Sequence, residues 1–361
     1  MRFIHCSDLH LGAEPEIGRP WAEARKNELW ETAGRIISDC NRDNIDLLMI
    51  AGDVFNRQPK LKELKSLNEL FKKLTNTKVV MMAGKSDYIS PRSGYPGFKW
   101  NDNVLMLEDR ELGEKYIYGL DTTIYGLSLY DSEGSEQFYR DAYPKASAGF
   151  HILLAHGGED SGIPIDCKRL EEAGFSYVAL GHRHAYKKAG ERMFYSGSPE
   201  PLDKTETGEH GYIRGELTIV NGEEKLETGF VSVAKRKYID LNLRITPEDN
   251  RQSIIKKLTK RMLDEGAGNL YRVYLTGVRK SEEKPDTAEL ANAGMITEVI
   301  DNTIPGYDFE RLEKENEGNI IGLFMKSIRE ADADEYIKER ALYYGIEALL
   351  SASNEYEKKQ N

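Results

Sequence analysis

Five short segments of the chain carry carboxylates and imidazoles at spacings that suit a metal ion. They read DLH at residues 8–10, GD at 52–53, GKSD at 84–87, HGG at 156–158 and GHRH at 181–184. In the D-x-H and H-x-H spacings, alternate side chains lie on the same side of an extended segment, so that two of them reach one ion. Carboxylate oxygen and imidazole nitrogen suit Mn, Fe and Zn. The sequence therefore predicts a metal site for one or two ions, because a single carboxylate can bridge two.

Each of these segments follows or ends a short apolar run. The runs at residues 2–6, 45–50, 78–82, 151–155 and 177–180 are predicted strands, and residues 21–39 and 61–74 are predicted helices between them. This alternation is typical of a layered α/β fold, in which ligands bind outside the carboxyl ends of the strands. We therefore expect the polar segments to gather at one rim of the fold.

Composition limits the class of protein. A chain of 361 residues is long enough for two or three domains, and it has no apolar run of about 20 residues that would span a membrane. The N-terminus has no signal-peptide pattern, and the three cysteines are scattered, which favours the cytoplasm. A net charge of -11 argues against a surface coated with positive charge, but it leaves room for a local basic groove.

The composition changes near residue 235, where a short basic hinge begins. A strand at 238–245, a helix at 247–263 and a strand at 269–276 predict a small β-α-β unit, which a polar linker at 281–287 and three helices follow. The predicted regions are therefore 1–235, 236–280, and a linker with a helical C-terminal region at 281–361.

The order of the five segments resembles the pattern D-x-H, G-D, G-N-H-D, H, G-H-x-H of the calcineurin-like metallophosphoesterases. RFIHCSDLHLG, GDVFNRQP and YSGSPEPLDKTETGEHGY are similar to the SbcD-type DNA repair exonucleases, and the C-terminal helices resemble a subfamily paired with a large SbcC-like ATPase. The resemblance implies a four-layer α/β/β/α sandwich with a small α/β capping domain and a helical tail. It also implies a phosphodiesterase that hydrolyses DNA with a metal-bound hydroxide, an ATPase partner and a homodimer.

The resemblance assigns roles to individual residues. Mn²⁺ is the expected ion, with Fe or Zn as alternatives, and the catalytic residues are Asp53 and His156. Arg183 and Arg57 are candidate phosphate contacts, although both also suit a solvated surface. The implied ligands of the first ion are Asp8, His10, Asp53 and His184, and those of the second are Asp53, His156 and His182.

One motif departs from the family pattern, because G-N-H-D is here GKSD. The family's asparagine binds the second ion and its histidine acts as a general acid or orients phosphate. Lys85 cannot ligate while protonated, and the Ser86 hydroxyl is too weak an acid to replace histidine. Lys85 either projects toward the second site and replaces that ion, or points away from a weakened site. A catalytically weak or inactive subunit that binds DNA ends or docks the ATPase is therefore the alternative function.

Two further segments have open interpretations. Residues 251–261 carry five basic residues and no acid, which predicts either a DNA-binding face or the solvated face of an amphipathic helix. Residues 306–350 are acidic with apolar positions, which suits either ATPase docking or internal packing. The candidate DNA contacts in the first segment are Lys256, Lys257, Lys260 and Arg261.

Overall fold

The structure is a computed structural model that describes residues 1–131, 138–145, 149–158, 162–280 and 284–358. It divides into two units, Met1–Tyr238 and Ile239–Asn361. Residues 281–283 of the predicted linker lie outside the described residues. In the described part of the chain, no helix combines the length and the apolar character that crossing a membrane requires.

The first unit is built from strands and helices that alternate over most of its length. Its helices are α1 (Ala22–Arg42), α2 (Leu61–Phe71) and α3 (Cys167–Glu172). Its strands are β1 (Arg2–Cys6), β2 (Leu47–Ala51), β3 (Lys78–Met82), β4 (Val104–Leu107), β5 (Gly113–Ile117), β6 (Thr122–Gly126), β7 (Phe150–His156), β8 (Tyr177–Gly181), β9 (Lys187–Lys188), β10 (Met193–Tyr195), β11 (Gly211–Val220) and β12 (Glu223–Ser232).

These strands form two six-stranded sheets. One has the order β12-β11-β1-β2-β3-β4 and the other the order β5-β6-β7-β8-β10-β9. Within the first sheet β1, β2, β3 and β4 run parallel, and within the second β6, β7 and β8 do so. Parallel strands bring their carboxyl ends to one edge of each sheet, and this is where the predicted polar segments begin.

The two sheets pack face to face, with helices on their outer sides. Alternate residues of β2 show this, because Leu47 and Met49 belong to the apolar cluster between the sheets, whereas Leu48 and Ile50 pack in the cluster of α1 and α2. A third cluster joins the outer face of the second sheet to Leu170 of α3. Burial on both faces explains why the strands read as continuous apolar runs. The predicted four-layer α/β/β/α sandwich is confirmed.

The second unit contains a smaller sheet and a set of helices. Its strands are β13 (Tyr238–Ile245, starting at the last residue of the first unit), β14 (Leu270–Lys280), β15 (Ile296–Asp301) and β16 (Ile304–Gly306). The sheet has the order β13-β14-β15, and β16 also pairs with β14. Its helices are α4 (Arg251–Glu265), α5 (Thr287–Leu290), α6 (Phe309–Glu315), α7 (Ile320–Glu330) and α8 (Glu335–Lys358).

The cap sheet continues beyond residue 280, where the sequence analysis ended it. Strands β15 and β16 run parallel to β14 and lie between the predicted linker at 281–287 and the first of the predicted C-terminal helices. They were missed because they are short and only partly buried, so that apolar and polar residues do not alternate clearly along them.

The helices of the second unit pack partly on one another. Ile321 and Met325 of α7 are buried together with Leu342 and Ile346 of α8. This supports internal packing for those four side chains of the acidic segment. Ile320, Leu323, Ile337 and Tyr344 remain exposed.

Candidate metal centre

The five polar segments meet because they lie at the carboxyl ends of strands in both sheets. Asp8 follows β1 and Asp53 follows β2, and the backbone N–H of Asp8 donates to the Gly52 carbonyl at 3.0 Å. His156 ends β7, and His182 follows β8. These four residues are therefore positioned directly by the ends of hydrogen-bonded strands.

Carboxylates and imidazoles from these segments form two groups that share one residue. The ligand atoms of Asp8, His10 and His184 lie within 4.8 Å of one another, and so do those of Asp8, Asp53 and His156. Asp53 of the second group also approaches the first group, because its Oδ1 is 3.5 Å from His156 Nε2 and its Oδ2 is 3.7 Å from His10 Nε2. The structure therefore brings together five of the six predicted ligands.

The sixth predicted ligand, His182, lies beside these groups. Its backbone N–H donates to both carboxylate oxygens of Asp8, at 3.1 and 3.0 Å. Its ring centre is 5.5 Å from that of His156. The side chain of His182 is thus a neighbour of the group that contains His156.

Several buried nitrogens at the centre suit a divalent cation. His156 Nδ1 lies 2.9 Å from the Ala51 carbonyl oxygen, to which it donates, so that Nε2 carries the lone pair. Within the described residues, neither His156 Nε2 nor His10 Nδ1 has a hydrogen-bond partner. His10 Nε2 also faces His184 Nε2 at 3.0 Å. Because buried polar atoms are normally paired, these nitrogens and the two carboxylates fit a metal ion of the Mn, Fe or Zn type.

Ser86 of the altered motif holds the Asp53 carboxylate, and Asp87 holds the backbone around the motif. The Ser86 backbone N–H donates to Asp53 Oδ1 at 2.7 Å, and its hydroxyl donates to Asp53 Oδ2 at 2.8 Å. Asp87 is fully buried and accepts hydrogen bonds from the backbone N–H groups of Gly84 and Phe55 and from the Tyr95 hydroxyl. The GKSD segment therefore orients Asp53 through its serine.

Glu206 is a site residue that sequence reasoning missed. Its carboxylate oxygen Oε1 accepts a hydrogen bond from His184 Nδ1 at 2.7 Å. A carboxylate in this position fixes the orientation of a metal-binding imidazole and makes its other nitrogen more basic. The sequence gives little indication of this role, because Glu206 lies 22 positions after His184 and is not part of a spaced ligand motif such as D-x-H or H-x-H.

The backbone at the centre adopts conformations that side chains usually avoid. Asp8, His10, Asp53 and His182 have φ angles of 53°, 44°, 48° and 95°. Such left-handed residues cost free energy and persist where the surrounding structure holds them, often at functional sites. The glycine that precedes His182 is required by close packing, since a Cβ there would lie 1.8 Å from the Ala51 carbonyl oxygen.

Opposing influences set the charge of the centre. Burial alone would raise the pKa of Asp53, but the imidazoles of His156 and His10 and the hydrogen bonds from Ser86 outweigh it and lower the pKa. Burial is the main cause of the lowered pKa of His182, and the charges of His156 and Lys85 also lower it. The positive charge of Lys85 therefore acts on the His182 side of the centre, where it helps to lower the pKa of that imidazole.

The basic residues predicted to contact DNA differ in whether they already pair with acidic residues of the protein. The Arg57 guanidinium is held by Glu63 through hydrogen bonds of 2.8 and 3.0 Å. On α4, Lys257 pairs with Asp249 and Arg261 with Glu265. Lys256 and Lys260 are exposed, while Ile254, Leu258 and Met262 are buried on the opposite side of the helix. The solvated-face interpretation therefore explains much of this helix.

Comparison with known proteins agrees with this geometry. The model of the family "Calcineurin-like phosphoesterase" matches residues 1–186. Three similar proteins are called "DNA double-strand break repair protein Mre11". The one from Methanopyrus kandleri is 28% identical over 240 residues, covering 58% of this chain and 52% of that protein. Those from Aeropyrum pernix and Thermoplasma acidophilum are each 24% identical, over 238 and 254 residues, covering 58% and 62% of this chain.

The chain spans only part of these relatives, namely 52%, 56% and 64% of their lengths. The family match covers more than half of the chain and includes the segments that supply Asp8, Asp53, His156 and His182. The chain therefore belongs to the calcineurin-like phosphoesterase family.

Proposed function

We propose that the chain hydrolyses phosphodiester bonds in DNA at the metal centre. The observation that carries the proposal is the pair of overlapping ligand groups around Asp8 and Asp53, with the Nε2 atom of His156 buried and without a hydrogen-bond partner among the described residues. The three relatives named for repair of DNA double-strand breaks support DNA as the substrate.

The ligand groups indicate which residues would hold the ions. Asp8, His10 and His184 form one group, and Asp53 and His156 extend it toward His182 for a second ion. When bound, divalent ions offset the charge of the phosphate and activate water as a nucleophile. Mn²⁺ is the proposed ion.

The protein's own part is to hold these groups still. Glu206 orients His184, the Ala51 carbonyl orients His156, and Ser86 holds both oxygens of Asp53. Because each side chain is fixed before substrate arrives, little reorganisation accompanies the reaction. Arg183 lies between His182 and His184 in sequence and is proposed as a phosphate contact.

A second candidate function rests on the GKSD segment. The Ser86 hydroxyl already donates its proton to Asp53, and a hydroxyl is a poor acid near neutral pH, so it does not replace a histidine as proton donor. The positive charge of Lys85 contributes to the lowered pKa of His182, after burial and the charge of His156. These two observations favour a chain of low activity that binds DNA ends or docks the ATPase.

Other parts of the interpretation stay predictions. The SbcC-like ATPase partner, the homodimer, the cytoplasmic location and the DNA-binding role of α4 rest on the sequence and on the family resemblance. So does the division into a phosphoesterase domain, a cap and a helical region.

The test measures metal binding and hydrolysis together. We expect Mn²⁺ binding by calorimetry and Mn²⁺-dependent hydrolysis of bis-p-nitrophenyl phosphate, both lost in Asp53→Asn. The matched control is Asp141→Asn, whose carboxylate is exposed and pairs with Arg169, and it should leave both unchanged. Metal binding without hydrolysis in the wild-type chain would favour the second candidate, and absence of metal binding would contradict both ion-holding groups.

A further inference from the structure

A small cavity opens beside the metal centre on the side of His182. Its volume is about 160 Å³, and Arg183, Lys187 and Tyr195 line it together with His182. Cavities that hold whole drug-sized molecules begin at about 300 Å³. This one is therefore suited to a smaller group, such as a single phosphate.

Among the described residues, the cations of this cavity have no acidic partner. Within the part of the chain that the structure describes, neither Arg183 nor Lys187 has a side-chain hydrogen bond or an ion pair, and no acidic residue is among the described residues that line the cavity. Two positive charges with no counterion among the described residues, beside a site for phosphoryl chemistry, indicate an anionic ligand.

A larger cavity elsewhere in the first unit shows the contrast. It measures about 590 Å³ and is lined by Arg2, Arg42 and Arg214. There Arg42 and Arg214 pair with Asp43, and Arg2 pairs with Glu216 at 3.7 Å. The positive charge of the larger cavity is thus neutralised by acidic residues of the protein. Of these two cavities, only the smaller one offers cations to a ligand.

Strand pairing directs Lys187 into the cavity. Strand β9 runs antiparallel to β10, with Lys187 opposite Tyr195 and Lys188 opposite Phe194. Directly opposed residues of an antiparallel pair lie on the same face, and neighbours along a strand lie on opposite faces. Lys187 therefore shares the cavity with Tyr195, whereas Lys188 lies on the other face and pairs with Glu191 at 3.2 Å.

A glycine keeps one side of the cavity open. A Cβ on Gly158 would lie 3.1 Å from the Tyr195 hydroxyl oxygen and 3.9 Å from His182 Cδ2. A side chain at this position would therefore occupy the space between the cavity wall and the imidazole.

We propose that this cavity binds the phosphate of the nucleotide next to the bond that is hydrolysed, with Arg183 and Lys187 as its ligands. The inference rests on the proposed function and specifies its substrate as a polynucleotide, which has a second phosphate, rather than a compound with one. The site contacts the backbone and not a base, so it favours no sequence.

The first test measures binding without metal. Fluorescence anisotropy of a short single-stranded oligonucleotide in EDTA, at several salt concentrations, compares the wild-type chain with Arg183→Ala/Lys187→Ala and with the matched control Lys188→Ala. We expect the double variant to bind about tenfold more weakly and to lower the slope of log K against log salt by about 0.7, since one phosphate contact is lost. Equal affinities and slopes in the double variant and the control would overturn the proposal.

The second test separates the cavity from the metal centre. Hydrolysis with Mn²⁺ is measured on an oligonucleotide, which has neighbouring phosphates, and on bis-p-nitrophenyl phosphate, which has one. We expect Lys187→Ala to raise KM for the oligonucleotide, so that the ratio of kcat/KM for the two substrates falls about tenfold. An unchanged ratio would overturn the proposal. A wild-type chain that hydrolyses neither substrate would overturn the proposed function, and the anisotropy result would still decide for or against the phosphate site.

Discussion

The proton on His184 should control how metal affinity depends on pH. Burial alone lowers the pKa of this imidazole, but the hydrogen bond to Glu206 and the nearby carboxylates outweigh it and raise the pKa to about 9. An imidazole binds a metal ion only after its proton has left. Metal and proton therefore compete for His184 at every pH below about 9.

The size of this competition follows from the pKa. Half of the imidazoles are already protonated at pH 9, so the apparent metal affinity falls about 50-fold between pH 9 and pH 7, or about 2.3 kcal/mol, and about tenfold for each further pH unit below that. Apparent metal affinity must fall as the pH falls, since acid favours the protonated imidazole, which cannot bind the ion. At pH 7 the wild-type chain should release close to one proton from His184 for each ion that binds there.

The perturbation is Glu206→Gln, which keeps an oxygen acceptor for His184 Nδ1 and removes the negative charge. The pKa of His184 should fall toward 6.5, and the loss of affinity between pH 9 and pH 7 should shrink to less than about tenfold. Calorimetry with Mn²⁺ in two buffers of different protonation enthalpy gives the number of protons released. We expect a small fraction of a proton in the variant.

The control for this experiment is Glu209→Gln. This carboxylate is exposed, accepts a hydrogen bond from Ser232 and pairs with Lys237, so its loss should leave proton release at the wild-type value. Equal proton release and equal pH dependence in the wild-type chain and in Glu206→Gln would refute the role given to Glu206.

Three further predictions concern the altered motif and the buried polar network. Lys85→Asn combined with Ser86→His should raise hydrolysis of bis-p-nitrophenyl phosphate by about 10²–10⁴-fold, the usual contribution of a positioned acid; an unchanged rate would contradict this. Arg25→Met removes the buried guanidinium that pairs with the buried carboxylates of Glu28 and Glu200, and it should cost about 3–5 kcal/mol in urea unfolding. Lys26→Ala removes only an exposed pair and should cost below about 1 kcal/mol. Similar small losses in both would show that the buried pairs contribute little. Tyr95→Phe removes a hydroxyl that donates to a buried carboxylate and should cost about 1.5–3 kcal/mol by the same method, and no change in unfolding midpoint would count against that bond.

The rim of the first unit was predictable because one physical rule governs it. Parallel strands buried on both faces leave continuous apolar runs, and their carboxyl ends meet, so residues as distant in sequence as Asp8 and His182 were expected to be neighbours. The four-layer sandwich was predicted from the family resemblance, and the packing of the two sheets confirms it.

The contacts around the rim were not predictable in the same way. Glu206 and Lys187 reach the site through a loop and through a two-residue strand, and neither has a spacing that marks it. The strands beyond residue 280 also escaped detection, since their partly buried residues produce no clear period. Pairing across a sheet and the path of a loop depend on the assembled fold, which local sequence patterns do not encode.

The central claim is that this metal centre cleaves DNA. The most direct measurement incubates end-labelled DNA with the wild-type chain in Mn²⁺, with EDTA and Asp53→Asn as the two negative controls. We expect progressive shortening of the DNA that requires both Mn²⁺ and the Asp53 carboxylate. Intact DNA in the presence of a chain that has bound Mn²⁺ would contradict it.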